Sequence, residues 1–271
     1  GEKFMPMAPE VYNRAYRILC RCVELEEKSH QDPHIVVPEK DFVITSIDMI
    51  DGLVQGLGPQ SQALLFPQEG QDTSVLKVLL KCLQDPVHEV RQSTFALLGD
   101  IVYYYEPRLL VHFLPEFLKL IGMEMVHNDD PDGVPALVNA VWCLGLIGER
   151  INLSDYILDL TRLMLDLFTT TTQIVDTAVT ENLAVAIGRL GITLPEVFAT
   201  GIFASDSVWN KWCLAVNDLE SLEEKSSAYM GFIKIINVTD AQVSISKDTL
   251  KNVIEGLSVN VDVAVFAQDI Y

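Results

Sequence analysis

The sequence predicts an all-α protein that is built from a repeated pair of helices. Three observations support this fold class. Five stretches with apolar residues three or four positions apart each carry a glycine, and these stretches recur every 43 to 47 residues. Each interval leaves room for one further helix and two short loops. The alternation that is typical of strands is weak. Repetition of a helix pair at this period predicts units that bury their apolar sides by stacking on their neighbours.

The five stretches follow one another with steps of 47, 46, 43 and 43 residues between their glycines. In order they are SIDMIDGLV, TFALLGDIV, AVWCLGLIG, NLAVAIGRL and SAYMGFIKI, with Gly52, Gly99, Gly145, Gly188 and Gly231. Segments such as RLLVHFLPEFLKLIG and YILDLTRLMLDLF supply the second helix of a pair. This period is typical of HEAT or armadillo repeats. We therefore predict a HEAT-repeat α-solenoid, a right-handed superhelix of antiparallel helix pairs. Residues 1–271 are expected to form a single array of about six pairs, as a fragment of a longer receptor.

Alignment of the stretches on their glycines predicts which side of each helix is buried. The positions two after, two before and five before the glycine are mostly apolar and form one stripe on a helix. At 100° per residue, the glycine and the positions three and seven before it lie on the opposite side. Trp142 is three residues before Gly145. Its indole is therefore expected outside the core between repeats.

Two interpretations of this indole stay open at the sequence level. It could pack against the other helix of its own pair, or it could be an exposed anchor on the concave surface, where solenoids usually bind. Tryptophan is a preferred anchor residue because it offers a large apolar area. A glycine within a helix costs about 1 kcal/mol relative to alanine. Its repetition indicates close approach by another backbone, either of the adjacent helix or of a ligand.

Polar residues accompany the indole on the same predicted side. Asn139 and Asn182 carry both donors and acceptors that could hold the backbone of an extended peptide, although they could equally belong to helix starts or loops. Asp48 and Gln55 are seven residues apart and share one helix face, and Asp100 directly follows a glycine. A carboxylate at this position could accept two hydrogen bonds from an arginine of a bound chain. The alternative is an ordinary solvated aspartate.

Composition and motifs exclude several classes of function. The chain has 38 acidic residues against 19 lysines and arginines, a formal net charge of −19, which repels nucleic acid and anionic membranes and attracts basic partners. We expect no direct nucleic acid or membrane partner, and no apolar run of about 18 residues suggests a membrane span. Five cysteines, an odd number, are expected to be reduced thiols. The histidines show no metal spacing, and no nucleotide-binding or nucleophile motif is present. We therefore expect no metal, no cofactor and no enzymatic activity.

The repeat stretches also resemble a known family when longer segments are considered. These segments are DFVITSIDMIDGLVQGLG, LQDPVHEVRQSTFALLGDI, NAVWCLG, ENLAVAIGRLG and EEKSSAYMGF. In order and spacing they resemble the carboxy-terminal part of the transportins, and of their fungal members in particular. Transportins are karyopherin-beta import receptors for nuclear localisation signals of the proline-tyrosine (PY) type. The resemblance covers nearly the whole chain, and EVRQSTFALLGD and ENLAVAIGRLG are more specific than a generic HEAT pattern.

The resemblance implies a function in binding and transport, without chemistry. An extended, disordered signal lies along the concave face in this family, and its Pro-Tyr end binds repeats outside this chain. The basic or hydrophobic upstream part of the signal binds the region covered here. The implied cargoes are often RNA-binding proteins. The implied further partners are the Ran GTPase, through an amino-terminal arch outside this chain, and the FG repeats of nucleoporins. The implied localisation is the cytoplasm and nucleus, with shuttling through nuclear pores.

The resemblance also implies residue roles. Trp142 matches an exposed tryptophan that contacts the signal, and Asp48 and Asp100 match acidic contacts to its basic residues. Thr45 and Val134 stand where the family has larger aliphatic residues, and Gln55 stands where it has glutamate. The implied cargo-signal-binding set is Trp142, Asp48, Asp100, Asn182, Val185, Asn139, Thr45, Val134 and Gln55. The competing interpretation is a structural HEAT scaffold, such as a phosphatase regulatory subunit, that binds folded partners.

Overall fold

A computed structural model of the chain describes residues 2–67, 72–126, 130–170, 177–238 and 242–260. Throughout these ranges the regular secondary structure is α-helix or short 3-10 helix, and no strand is present. The prediction of an all-α fold is confirmed. The longer helices are α1 (Ala8–Ser29), α2 (Lys40–Leu57), α3 (Ser74–Cys82), α4 (His88–Tyr104), α5 (Leu114–Val126), α6 (Val134–Arg150), α7 (Ile157–Thr170), α8 (Thr177–Thr193), α9 (Asp206–Asp218), α10 (Leu222–Ile236) and α11 (Lys247–Asn260).

The five glycine-bearing stretches are α2, α4, α6, α8 and α10, which we call the glycine helices. The helices between them, α1, α3, α5, α7 and α9, are the second members of the pairs, as the period predicted. The chain divides into two compact units, Gly1–Cys143 and Leu144–Tyr271, and the division lies within α6. Each unit is described below by itself. A single array of about six pairs in a right-handed superhelix stays a prediction.

Local sequence signals explain where individual helices begin and end. Helix α2 ends at Leu57 because Gly58 adopts φ of 56°, a left-handed conformation that glycine reaches without steric cost. Helix α10 begins after Ser221, whose hydroxyl accepts a hydrogen bond from the backbone N–H of Glu224 at 3.3 Å. This bond satisfies one of the donors that every helix start leaves without an intrahelical partner.

The core of the first unit lies where α2 packs on α1 and on α4. In α2 the predicted inner stripe is completely buried, with Ile47, Ile50 and Val54 at 0% exposure. Leu97 and Ile101 occupy the same stripe of α4 and are also at 0%. The spacing argument therefore identified the buried side of these helices correctly. The opposite side, which carries the glycines, is left to form the surface described below.

The second unit is held by close helix contact and by an aromatic cluster. Helices α8 and α10 pack closely on each other, and the rings of Trp212 and Phe232 stack with centroids 5.1 Å apart. Trp209 lies 5.0 Å from the ring of Phe232. The indole N–H of Trp212 donates to the carbonyl oxygen of Ala184 at 2.7 Å, which ties α9 to α8. Both indoles are at 0% exposure.

One helical segment of the described ranges, Pro131–Arg150, is 20 residues long and apolar enough to cross a membrane by length and composition. The expectation that no segment reaches this length is therefore wrong. Of its apolar stretch, 61% is buried inside the protein, as in the core helix of a soluble protein. Length and composition alone are weak grounds for a membrane span.

Candidate functional site

The exposed side of α2 is the first part of the candidate site. Thr45, Asp48, Met49 and Gln55 are exposed there, and Met49 shows 45% of its surface. These residues share one face because their spacing follows the helical period. Thr45 and Asp48 were predicted at this surface, and the structure places both there. The side of α2 opposite the core thus combines acidic, amide and apolar groups.

The backbone of α2 is bare in the middle of this side. A Cβ atom added to Gly52 or to Gly56 would meet no atom of the described residues within 4 Å. We call these two residues the open glycine strip. Ala96 of α4 holds the same position of the repeat as Trp142 of α6. Ala96 is small and half-buried, so α4 places no large side chain at this position next to α2. An incoming side chain could therefore approach the helix backbone at this strip.

In α4 the corresponding glycine is covered. A Cβ added to Gly99 would lie 2.0 Å from Cζ3 of Trp142, so the indole rests directly on the α4 backbone at this residue. Trp142 is half-buried. The indole therefore contacts the glycine helix of the preceding pair. The indole is thus held on one side and retains exposed surface.

Two aspartates and one glutamine join α2 to α4 beside the open glycine strip. The side-chain nitrogen Nε2 of Gln55 donates to Oδ2 of Asp51 at 3.0 Å and to Oδ2 of Asp100 at 2.7 Å. Asp100 is buried, with 8% exposure, whereas an exposed position had been expected. Asp51 was not predicted as a site residue. We call Asp51 and Asp100 the carboxyl pair.

Within the carboxyl pair, the pKa of Asp51 is raised. This pKa is about 8, mainly because burial disfavours the carboxylate. A hydrogen bond from the neutral Asp51 to Asp100 and the negative charges of Asp100 and Asp48 act in the same direction. The second oxygen of Asp51, Oδ1, is buried and has no hydrogen-bond partner in the described part of the chain. Buried carboxyl groups next to other carboxylates favour the neutral form because burial and like charge both oppose ionisation.

The two predicted asparagines are anchored to helix backbone. The amide of Asn139 donates to the carbonyl oxygen of Gln92 in α4 at 3.0 Å. The amide of Asn182, in the second unit, donates to the carbonyl oxygen of Ala178 at 2.9 Å. Both side chains are half-buried. One N–H of each amide is therefore committed within the protein.

The remaining predicted residues divide between surface and core. Val134, the first residue of α6, is half-buried. Val185 of α8 is buried, with 2% exposure. In the same helix Gly188 approaches the backbone of Ala228 in α10, where an added Cβ would lie 2.5 Å from the Ala228 Cα atom. The predicted contact of Val185 with a bound chain is not supported by this placement, because close helix packing closes this side of the second unit.

The structure therefore brings Asp48, Gln55, Asp100 and Trp142 together in the first unit through the α2–α4 and α4–α6 contacts. Asn182 and Val185 lie in the second unit. Asp51 is the residue that the sequence analysis missed. A signal for it was present, because Asp48, Asp51 and Gln55 follow the i, i+3, i+7 spacing of a single helix face.

Metal binding would require clustered ligands, and thiol chemistry would require a reactive cysteine. Within the described ranges, no group of three or more histidine, cysteine, aspartate or glutamate side chains could hold a metal ion. The five cysteines are free thiols. Burial raises the pKa of Cys82 and of Cys213 to about 12, so these thiols stay protonated and unreactive near neutral pH.

Repeated helix pairs, with a glycine in one helix of each pair, define the class of protein as a HEAT-repeat protein. The HEAT repeat family matches residues 75–105, which correspond to α3 and α4. The predicted HEAT-repeat solenoid class is therefore confirmed.

Comparison with known proteins gives the particular family. The chain is 67% identical over 271 residues to Importin subunit beta-2 of Saccharomyces cerevisiae, covering 100% of this chain and 30% of that protein. It is 31% identical over 242 residues to Importin subunit beta-2 of Schizosaccharomyces pombe, covering 86% of this chain and 25% of that protein. It is 28% identical over 246 residues to Transportin-1 of Homo sapiens, covering 89% of this chain and 25% of that protein. The chain belongs to this importin beta-2 and transportin family and spans less than a third of the length of these relatives.

Proposed function

We propose that the chain is a segment of a nuclear import receptor of the karyopherin type. In this proposal the exposed side of α2, together with the half-buried Trp142 of α6, binds the basic or hydrophobic upstream part of PY-type nuclear localisation signals. The observation that carries the proposal is the gathering of Asp48, the carboxyl pair and the half-buried Trp142 on the glycine side of the first unit. The chain acts by binding, without chemistry.

Electrostatic attraction supports a basic partner. The chain carries a formal net charge of −19, so a basic, disordered segment is attracted at long range and its encounter is weakened by salt. At short range Asp48 is exposed and free of ion pairs within the described residues. A planar guanidinium can donate two parallel hydrogen bonds to such a carboxylate. Basic residues of the signal therefore have a defined acceptor on α2.

Trp142 supports an apolar contact next to the basic one. The indole rests on Gly99 and loses little conformational freedom when a second group packs on its exposed surface. Indoles held in this way are frequent anchors in protein interfaces. Apolar residues of the signal would therefore be expected at α6, on the far side of α4 from Asp48.

The backbone of the signal also has a partner. A disordered segment loses conformational entropy when it binds, and this loss has to be offset by contacts along its length. The side-chain oxygen of Asn139 is held in place by the bond from its amide to Gln92. It is suited to accept a hydrogen bond from a backbone N–H of the bound segment.

The wider partners follow from the family and are part of the same proposal. They are cargo proteins with PY-type signals, among them RNA-binding proteins, together with the Ran GTPase and the FG repeats of nucleoporins, through parts of the longer protein. Shuttling between cytoplasm and nucleus is the corresponding localisation. The relatives are named as importins and transportins, which supports this assignment.

A binding titration with matched charge changes tests the proposal. We expect Asp48→Lys to weaken binding of a fluorescently labelled arginine-rich signal peptide about tenfold, because a charged hydrogen bond is worth about 1.5–3 kcal/mol. The control is Asp155→Lys, which makes the same charge change at an exposed position of the second unit. The control should change affinity only slightly. An equal loss of affinity in both variants would show that the effect comes from net charge alone, and this would contradict the proposed site.

The same titration separates the competing scaffold function. A HEAT scaffold that binds folded partners along the repeat edges is indifferent to isolated peptides. Absence of saturable peptide binding by the wild-type chain, under conditions in which the chain is folded, would therefore favour the scaffold.

A further inference from the structure

We infer that Asp51 and Asp100 hold one shared proton in the free protein, and that a cationic side chain docking beside them displaces it. Binding of basic segments is then linked to release of a proton. The identity of the displacing cation rests on the proposed function above. The shared proton does not, because it is a property of the free chain.

The geometry of the carboxyl pair requires a bound proton. A single atom, Nε2 of Gln55, reaches an oxygen of each carboxyl group, at 3.0 Å from Asp51 and 2.7 Å from Asp100. Asp100 is 8% exposed, so water screens the two groups poorly. Two carboxylates that share such a site do not both ionise, because their repulsion and the loss of hydration raise one pKa strongly. One proton therefore stays on the pair.

A second feature points to the same conclusion independently. Oδ1 of Asp51 is buried and has no hydrogen-bond partner in the part of the chain that the structure describes. A buried carboxylate oxygen without a donor is costly, whereas a neutral carboxyl group at the same place costs much less. Protonation of the carboxyl group of Asp51 therefore removes the cost of leaving Oδ1 buried without a donor.

The surroundings of Asp51 contain acids and neutral groups. On α2 the nearby charge is Asp48, and on α4 it is Asp100. Tyr105, just after α4, and Cys143, on α6, also interact with the pair, and burial raises the pKa of both, so they stay neutral. No charged group of α1 contributes at Asp51. Among the ion pairs of the described ranges, none includes Asp48, Asp51 or Asp100.

The open glycine strip provides access for a cation. Gly52 directly follows Asp51, and a Cβ at Gly52 or Gly56 would touch nothing within 4 Å. A guanidinium or ammonium group of a bound segment can therefore lie against the α2 backbone at the edge of the carboxyl pair. Among the described residues, no side-chain atom lies within 4 Å of either added Cβ, so the strip is open to it.

The displacement step is a simple proton transfer. The O–H bond of the neutral carboxyl group breaks, its electron pair stays on the oxygen, and the proton passes to water or buffer. The new carboxylate then accepts an N–H of the incoming cation. A neighbouring positive charge lowers the pKa of a carboxyl group, which drives this exchange.

The sign of the pH dependence follows from the free state. The pKa of Asp51 is about 8 in the free chain, so at pH 6 to 7 the pair is protonated and binding has to expel the proton. Affinity for a basic segment should therefore rise as the pH rises from 6 toward 8. The affinity can rise by at most about tenfold per pH unit, which corresponds to the release of one whole proton on binding. Above pH 8 the proton is already lost and the affinity should level off.

The first experiment tests the shared proton in the free 271-residue chain. Carbon-13 NMR titration of the aspartate carboxyl groups should show one aspartate that titrates far above its ordinary value of 3.8. This signal should be absent in Asp51→Asn and present in Asp41→Asn, the matched control at an exposed position in the first turn of α2. If every aspartate of the wild-type chain titrates below pH 5, the inference is overturned, and no variant is needed for this result.

The second experiment tests displacement of the proton. Calorimetric titration at pH 7 with an arginine-rich peptide that lacks histidine and cysteine is repeated in buffers of different ionisation enthalpy. The wild-type chain and Asp41→Asn should release close to one proton per bound peptide, and Asp51→Asn should release none. Saturable binding with no proton release by the wild-type chain would overturn the linkage and leave the proposed function intact. Absence of binding would contradict the proposed function, while the NMR titration still decides the shared proton.

Discussion

The glycine of α2 and the glycine of α10 occupy the same position of the repeat in opposite surroundings. A Cβ added to Gly52 would meet nothing within 4 Å, whereas a Cβ added to Gly231 would lie 1.7 Å from the carbonyl oxygen of Gly188. In the second unit the glycines allow two helix backbones to touch. In the first unit the glycine of α2 leaves backbone open at the surface. The same repeated glycine thus permits close helix packing in the second unit and leaves the backbone of α2 exposed in the first.

The residue three positions before the glycine follows the same division. Met49 is 45% exposed, and Ala96 and Trp142 are half-buried, in the first unit. Val185 and Ala228 of the second unit are at 2% and 0% exposure. The position three before the glycine is therefore at least partly exposed in the first unit and packed in the second. Substitutions at equivalent positions should have opposite effects in the two units.

The largest effect is expected for Gly231→Ala. Its methyl group would overlap the backbone of α8, and overpacking against rigid backbone costs about 3 kcal/mol. The matched change Gly52→Ala adds the same methyl group where nothing opposes it, and should stabilise by up to about 1 kcal/mol because alanine favours helix. Urea denaturation followed by circular dichroism measures both. Similar changes in the two variants would remove the contrast between the units.

A smaller effect, with a sharper readout, is expected for Gly99→Ala. The new methyl group would collide with the indole of Trp142, and we expect a loss of about 2 kcal/mol in the free energy of unfolding. The same change in a Trp142→Ala background should be neutral or stabilising, because the space is then vacant. A double-mutant cycle measures the coupling. Additive effects would show that the ring does not rest on Gly99.

The smallest effect is expected for Gln55→Glu. It replaces the amide that bridges Asp51 and Asp100 by a third carboxyl group. We expect a loss of stability of about 0.5–1 kcal/mol at pH 7 from like-charge repulsion, together with a few-fold tighter binding of basic peptides. Gln31→Glu, in an exposed loop of the same unit, controls for net charge. Thermal melts and peptide titration are the measurements, and identical behaviour of the two variants would contradict the bridging role.

Much of the fold was predictable because it depends on periodicity. Spacing alone identified the five glycine helices and the buried stripe, for example Ile47, Ile50 and Val54 at 0% exposure. Helix pairs in a repeat protein contact mainly their neighbours, so local patterns determine most of the packing. The same spacing argument placed Trp142 outside the core, in agreement with its half-buried position.

The details of the site were harder to predict because they depend on distances between helices. Val185 and Trp142 hold the same position of the repeat, but only the close contact of α8 with α10 buries the valine. Asp51 looked like an ordinary surface residue in the sequence. Its role becomes apparent only when Gln55 is seen to reach both Asp51 and Asp100 across two helices.

Tryptophan emission tests most directly whether the glycine side of the first unit binds a basic segment. Trp209 and Trp212 are at 0% exposure in the second unit, so a change on peptide binding reports mainly on Trp142. Addition of an arginine-rich, tryptophan-free signal peptide should shift the emission to shorter wavelength in a saturable, salt-sensitive way, and Trp142→Phe should abolish the shift. Saturable binding with unchanged emission, or the same shift in Trp142→Phe, would contradict the account.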